Sequence, residues 1–251
     1  MLTVSWRTHV GAVRTLNEDV VLWDPALALV ALADGMGGHN AGEVASKLAI
    51  ESLQSFLKQT LADECTWPFG IDPSMSFAAN RLMNAVKIAN RHVYRTAEHH
   101  PEYNGMGTTV VAALADGPHV TFACVGDSRI YLWNGAALRQ LRDDDSWLVL
   151  MQRESGLSAA SFAQHPLRHA LTNVVGAHAD VDMTVDNVVL EDGESIMMCS
   201  DGLHGALPDA KMVSILQAQP DLDRAADALV HTAIDADGGD NISVLIARYT
   251  A

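Results

Sequence analysis

The chain has 251 residues, 49% of them hydrophobic, and a formal charge of −15. That balance excludes a nucleic-acid partner, because phosphate backbones are held by lysine and arginine patches that are missing here. No apolar run approaches the roughly 20 residues needed to span a bilayer, so no membrane partner is expected.

Nothing at the N-terminus reads as a secretory leader. The three cysteines, Cys65, Cys124 and Cys199, share no ligand spacing, and two of them fall in apolar runs. Buried, reduced thiols and a cytoplasmic location are therefore expected. No linker, low-complexity tract or repeat divides the chain, so one domain over residues 1–251 is the expectation.

Thr3–Thr8 reads as a strand, followed by Val20–Trp23 and Leu27–Leu32. Ala45, Leu48, Ala49, Leu53, Phe56 and Leu57 recur at helical spacing, as do Ala78, Leu82, Ala85, Val86, Ala89 and Val93. Each set makes one apolar helix face. Residues 107–141 read as a β-meander of four runs, 108–114, 119–125, 130–133 and 137–141. Its turns carry Asp116-Gly117, Gly126-Asp127-Ser128 and Asn134-Gly135. Trp147–Gln152 is a short helix within a poorly patterned stretch, 146–169. A second hairpin joins 181–190 to 195–199 around Asp192-Gly193, helices fit 209–217 and 222–236, and Ile242–Ile246 is a last strand. This order predicts an α+β layered fold with antiparallel sheets. Periodicity alone leaves one sheet or two open.

Four acidic motifs sit at the ends of these strand-like runs: Asn17-Glu18-Asp19, Ala33-Asp34-Gly35-Met36-Gly37-Gly38-His39, Ser200-Asp201-Gly202 and Gly239-Asp240-Asn241. If the strands lie side by side, their edges carry four carboxylates to one rim of a sheet. Ionised carboxylates crowd together only with cations between them. Oxygen donors favour hard ions such as Mg²⁺ or Mn²⁺. The pattern points to a two-metal hydrolase.

Taken in order with Arg14, Gly107-Thr108-Thr109, Gly126-Asp127-Ser128-Arg129 and Leu171-Thr172 to Gly176, these motifs run from about Val4 to Tyr249. The series resembles the metal-dependent Ser/Thr protein phosphatases of type 2C, in their compact bacterial form. The resemblance implies a four-layer α-β-β-α sandwich of two antiparallel sheets, with a metal cleft at one end and residues 146–169 as a flap beside it. It implies two divalent ions, Mn²⁺ or Mg²⁺, with Asp34 bridging them and the Gly35 carbonyl as a further ligand. Asp19 would hold one ion directly or through water, and Asp201 and Asp240 would complete the other side. Asp127 matches the position that helps hold a third, weaker metal in bacterial relatives; a simple turn former is its other reading. Glu18 would orient ligands or waters, and Gly37 and Gly38 would let backbone pass close to the cluster.

The implied activity is hydrolysis of phosphoserine and phosphothreonine by in-line attack of a metal-held hydroxide. Arg14 would fork two phosphate oxygens, which lysine could not reproduce. His39 would act as general acid toward the leaving hydroxyl, or as partner of a ligand water. The implied partners are phosphorylated proteins and a Ser/Thr kinase that the enzyme, a monomer, opposes. Arg142-Asp143-Asp144-Asp145-Ser146 departs from the family pattern, with Asp145 where relatives carry histidine.

Rival chemistries fare worse. Cys124 precedes Arg129 with one residue too few for a cysteine-phosphatase loop, and Asp127 inside the interval would repel phosphate. No Gly-x-x-x-x-Gly-Lys-Ser/Thr loop is present for nucleotide-driven transfer. A phosphatase of small phosphoesters, or a phosphoprotein-binding module that has lost catalysis, stays open as an alternative.

Overall fold

Two antiparallel sheets face one another in the computed structural model, which describes residues 1–38, 41–61, 65–162 and 164–251. The five-stranded sheet runs in the order β1 (Leu2–His9), β11 (Ile242–Tyr249), β10 (Ser195–Cys199), β7 (Arg129–Trp133) and β8 (Leu138–Gln140). The six-stranded sheet runs β2 (Asp19–Asp24), β3 (Leu29–Met36), β5 (Val110–Asp116), β6 (His119–Val125) and β9 (Thr184–Val189). A short strand, β4 (Gly107–Thr108), pairs with the end of β3.

The central strands are apolar without interruption because both of their faces are buried, and side chains alternate between two cores. Leu29, Ala31 and Ala33 of β3 join a core roofed by helices α1 (Ala41–Gln59) and α2 (Phe77–His99). Val30 and Leu32 turn the other way and meet Ile196, Met198 and Leu245 between the sheets. Met197, Val244 and Ile246 point outward from the five-stranded sheet, beneath α5 (Asp209–Ala218) and α6 (Leu222–Ala236). Three cores between four layers realise the α-β-β-α order. Each fully buried Leu or Ile contributes about 1.5–3 kcal/mol.

Local chemistry sets the helix starts. Ser76 accepts a hydrogen bond from the Ala79 N–H, Ser146 from Val149, and Asp221 from Arg224, as N-caps do. The last two open α3 (Trp147–Ser155) and α6. Trp147 stacks on His165 at 4.0 Å and meets Phe162 edge-on, so the segment from 146 to 169 has a small cluster of its own.

Three expectations need correction. The predicted meander is split: β5 and β6 form a hairpin in one sheet, β7 and β8 a hairpin in the other, and Gly126-Asp127-Ser128 crosses between them. The predicted hairpin around Asp192-Gly193 is likewise a crossover, because β9 pairs with β6 while β10 pairs with β7 and β11. A Gly-Asx signal marks a reversal of the chain, and a reversal serves a change of sheet as well as a hairpin. The acidic motifs accordingly meet from two sheets, not along one rim. Asp19 and Asp34 are directly opposed on β2 and β3, whereas Asp201 follows β10 and Asp240 precedes β11 in the facing sheet.

Candidate active site

Where the two sheets part at one end, a cavity of about 500 Å³ opens, lined by Arg14, Glu18, Asp34, Gly35, Asp127, Asp201 and Asp240 among others. The carboxylates arrive there through backbone that is tied down on several sides. Asp34 sits at the end of β3, where its N–H donates to Thr109 Oγ1 at 3.0 Å and its carbonyl accepts from Thr108 Oγ1 at 2.8 Å. The Gly107-Thr108-Thr109 motif thus fixes the strand end that carries Asp34. Gly35 lies so close to the first turn of α1 that a Cβ there would stand 2.1 Å from the Gly42 carbonyl oxygen. Gly38 is different: a Cβ would meet nothing within 4 Å, so the expected crowding at that position is absent.

Asp19 is buried at 7% exposure. Its Oδ2 accepts from Ser200 Oγ at 2.8 Å, while Oδ1 is buried with no hydrogen-bond partner. Burial, with Asp201 and Asp240 nearby, pushes its carboxyl up to about 6 despite the hydrogen bond from Ser200. Asp34 is pushed well above the usual carboxylate range by burial and then by Asp19, Asp201, Asp127 and Asp240. Burial and Asp240 raise Asp201, and a hydrogen bond shared with Asp34 offsets part of that. Asp127, on the crossover after β6, is pushed up to about 7 by burial first and by Asp201 and Asp144 after it.

Arg14 is carried by the loop between β1 and β2, and its Nη2 donates to Asp240 Oδ2 at 2.8 Å. That loop hangs on Asn241. Its Nδ2 donates to the carbonyls of Val10 and Leu16, each at 2.9 Å, and its Oδ1 accepts from the Glu18 N–H at 2.8 Å. Glu18 faces the cavity, its carboxylate set against Gly42 at the start of α1, where a helix favours negative charge. Burial raises its carboxyl, and Arg14 pulls it back.

The structure therefore brings together Arg14, Asp19, Asp34, Gly35, Asp127, Asp201 and Asp240. His39 lies outside the described residues. Among the described residues no three carboxylate, histidine or cysteine side chains already close on one point as a ligand group. They stand instead as the neighbouring carboxylates Asp34 and Asp201, the ion pair Arg14 and Asp240, and the half-satisfied Asp19. This donor set fits hard divalent cations on two grounds. An orphaned, buried carboxylate oxygen needs a positive partner, and mutual repulsion among buried carboxylates is relieved by charge placed between them.

Three contributors went unread in the sequence. Asn241 was visible as part of a motif, but its anchoring role needed the fold. Ser200 likewise needed its neighbour across the sheets. His169 lines the cavity from the end of the flap segment, and nothing in its surroundings in sequence marks it. Asp145 does not reach the cavity lining: it pairs with Arg142 and accepts from the Gly126 N–H and from Asn173 Nδ2 at 2.9 Å, fastening the crossover to the flap's far end. His204 donates from Nε2–H to the Asp127 carbonyl oxygen at 3.0 Å, and burial lowers its pKa to about 4.

A model of the protein phosphatase 2C family matches residues 12–234. The serine/threonine phosphatase stp of Listeria innocua is 34% identical, over 97% of this chain and 94% of that protein. The serine/threonine protein phosphatase PstP of Mycobacterium tuberculosis is 33% identical over 98% of this chain, in a match that spans 45% of PstP. Among solved structures, the Mycobacterium tuberculosis phosphatase PstP/Ppp superposes with a TM-score of 0.86 at 32% identity, covering 100% of this chain and 99% of that one. The catalytic domain of PstP in complex with 2 manganese ions gives 0.82 at 32% identity, with the same coverage of both chains. With the family's motifs placed around one cleft between two sheets, this chain belongs to the protein phosphatase 2C family.

Proposed function

We propose that the chain is a metal-dependent phosphatase that removes phosphate from phosphoserine and phosphothreonine in proteins. The observation that carries this reading is the meeting of oxygen-only donors from both sheets with one arginine in a single cleft. Its relatives are named as serine/threonine phosphatases, and one neighbour is described with two manganese ions.

In this reading Asp34, the Gly35 carbonyl, Asp19, Asp201 and Asp240 would hold two Mn²⁺ or Mg²⁺ ions. Asp127 serves a third, weaker site. Bound ions supply a water-derived nucleophile at neutral pH and offset phosphoryl charge. The chain's own residues do the rest. Arg14 exchanges its carboxylate partner for two phosphoryl oxygens, which its planar fork matches. Ser200 holds the Asp19 carboxylate in one orientation, and Asn241 holds the loop that aims Arg14. His39 keeps the role of proton donor to the leaving hydroxyl, and His169, on the cavity wall, is a second candidate for it. The substrates come from a Ser/Thr kinase in the same cytoplasm, and the protein acts as a single-domain monomer. Among the described residues no helix is long and apolar enough to cross a membrane.

The test is phosphate release from a phosphothreonine peptide after chelation, with Mn²⁺ or Mg²⁺ returned, for wild type beside Asp201→Asn. Activity that returns only with metal and is crippled by the substitution supports the reading. Turnover without metal would overturn it. Failure of the metallated wild type on several phosphopeptides would leave a binding module or a small-molecule phosphatase.

A further inference from the structure

A second cavity, of about 380 Å³, lies beside the catalytic one. Met36 and Val174 line both spaces, so the two adjoin along those side chains. Ala97, Met106 and Ala177 continue the apolar wall. The floor is closely built: a Cβ on Gly176 would stand 2.3 Å from Val93 Cγ1, and one on Gly107 3.2 Å from the Val175 carbonyl oxygen.

The outer wall has a different character. It comes from the last two turns of α2, where Tyr94 Oη donates to Glu98 Oε1 at 3.0 Å. The phenol thereby holds an exposed carboxylate at the rim. Among the described residues no lysine or arginine forms an ion pair with Glu98. An apolar trough ending in a carboxylate matches the two halves of a long basic side chain. The methylene stem packs along Met36, Ala97 and Val174 while the cation reaches Glu98. The formal charge of −15 adds a field that favours basic segments of a partner over acidic ones.

We propose that this cavity is a substrate subsite that receives a lysine or arginine close in sequence to the phosphorylated residue of a phosphoprotein. The proposal rests on the phosphatase reading of the neighbouring cleft. A leucine in the same place would fill the trough but leave Glu98 without a counter-charge, and an aspartate would be repelled.

The experiment measures kcat/KM on phosphothreonine peptides in which one Arg, Leu or Asp is walked through the three positions on each side of the phosphothreonine. Wild type is compared with Glu98→Gln, Glu98→Lys and Ala97→Phe, and p-nitrophenyl phosphate serves as a substrate without flanking residues. At one position or more, wild type favours Arg over Leu by up to about fivefold, the size of a partly exposed ion pair. Glu98→Gln abolishes that preference, and Glu98→Lys turns it toward Asp. Ala97→Phe narrows the trough, which lowers kcat/KM on the Arg peptide. All three variants keep wild-type rates on p-nitrophenyl phosphate. A wild-type preference for Leu, no preference at any position, or an Arg preference that survives both Glu98 substitutions would overturn the proposal while leaving the phosphatase intact. Loss of turnover on every substrate by metallated wild type would overturn the phosphatase reading itself, and this subsite with it.

Discussion

Arg14 and Asp240 form an ion pair at 2.8 Å across the mouth of the cleft, joining the loop after β1 to the loop before β11. Each side chain is roughly half exposed, so the pair itself adds little stability. Its consequence is placement: the guanidinium is already at the cavity wall before an anion enters. Arg14→Ala is expected to lower kcat/KM on p-nitrophenyl phosphate by about 10- to 100-fold, mostly through KM, as for loss of a charge-assisted contact of about 1.5–3 kcal/mol. Arg14→Lys recovers only part of that loss, because an ammonium cannot engage two oxygens at once. Steady-state kinetics of the three proteins check both points.

Asn241 reaches the same loop from beneath. Replacing it with alanine removes three hydrogen bonds and leaves the partly buried carbonyls of Val10 and Leu16 without this partner. At about 0.5–1.5 kcal/mol each, the loss is about 1.5–4.5 kcal/mol of stability. A rise in KM accompanies it, since Arg14 loses its support. Denaturant melts give the first quantity, and a KM rise in protein that is still folded gives the second. An unchanged KM would show that the loop holds its shape without Asn241.

The carboxylate cluster makes a statement about acidity. Burial pushes Asp19 up to about 6 and Asp127 up to about 7, whereas unfolded carboxylates titrate near 4. A group whose folded pKa is raised contributes stability that is complete below the unfolded pKa and is lost as pH rises through the folded one. The chelated protein is therefore expected to be less stable at pH 8 than at pH 5 on this account. Mn²⁺ should narrow the gap by binding the ionised, folded state. Thermal melts between pH 4.5 and 8, in chelator and in Mn²⁺, test it. Chelated stability that climbs across that range would contradict it.

Asp34→Asn separates stability from activity. Removing the charge relieves repulsion from Asp19, Asp201, Asp127 and Asp240. In chelator the variant is expected to melt higher than wild type, by roughly 2–4 °C per kcal/mol relieved. With metal returned, it is expected to lose nearly all turnover and most of the stabilisation that metal gives wild type. Paired melts and rates on one preparation show whether the two effects part in this way.

Gly35→Ala is the steric counterpart. The added methyl would stand 2.1 Å from the Gly42 carbonyl oxygen and 2.8 Å from that of Glu18, both of them backbone atoms. Either β3 or the start of α1 must shift, so activity falls even though every carboxylate and Arg14 are kept. Overpacking of this kind costs about 1–3 kcal/mol. A variant with wild-type turnover would show that the contact between β3 and α1 yields easily.

Much of this was legible in the sequence, for definite physical reasons. The helix expected over 222–236 spans Leu222–Ala236 in the structure, where Asp221 caps its start. The strand edges carrying Asp34, Asp201 and Asp240 were legible because burial on both faces makes their strands continuously apolar, and Asp19 because the apolar run Val20–Trp23 follows it. Sheet membership was not legible. The turns at Gly126-Asp127 and Asp192-Gly193 are chemically ordinary hairpin turns, and only long-range pairing decides that each changes sheet. Ser200 and Asn241 escaped for a related reason: their partners lie 181 and more than 220 residues away in the chain.

Cys124 lies between the two sheets and Cys199 between sheet and helices. Burial pushes the Cys124 thiol up to about 12 and Cys199 higher still. A thiol held in its protonated form is a poor nucleophile and a poor target for peroxide. Phosphatases that work through a cysteine thiolate are silenced by oxidants at the very atom that does their chemistry. This fold keeps the sulfur of Cys124 and Cys199 out of that chemistry, so an oxidant that silences a thiolate enzyme meets no thiolate at either position.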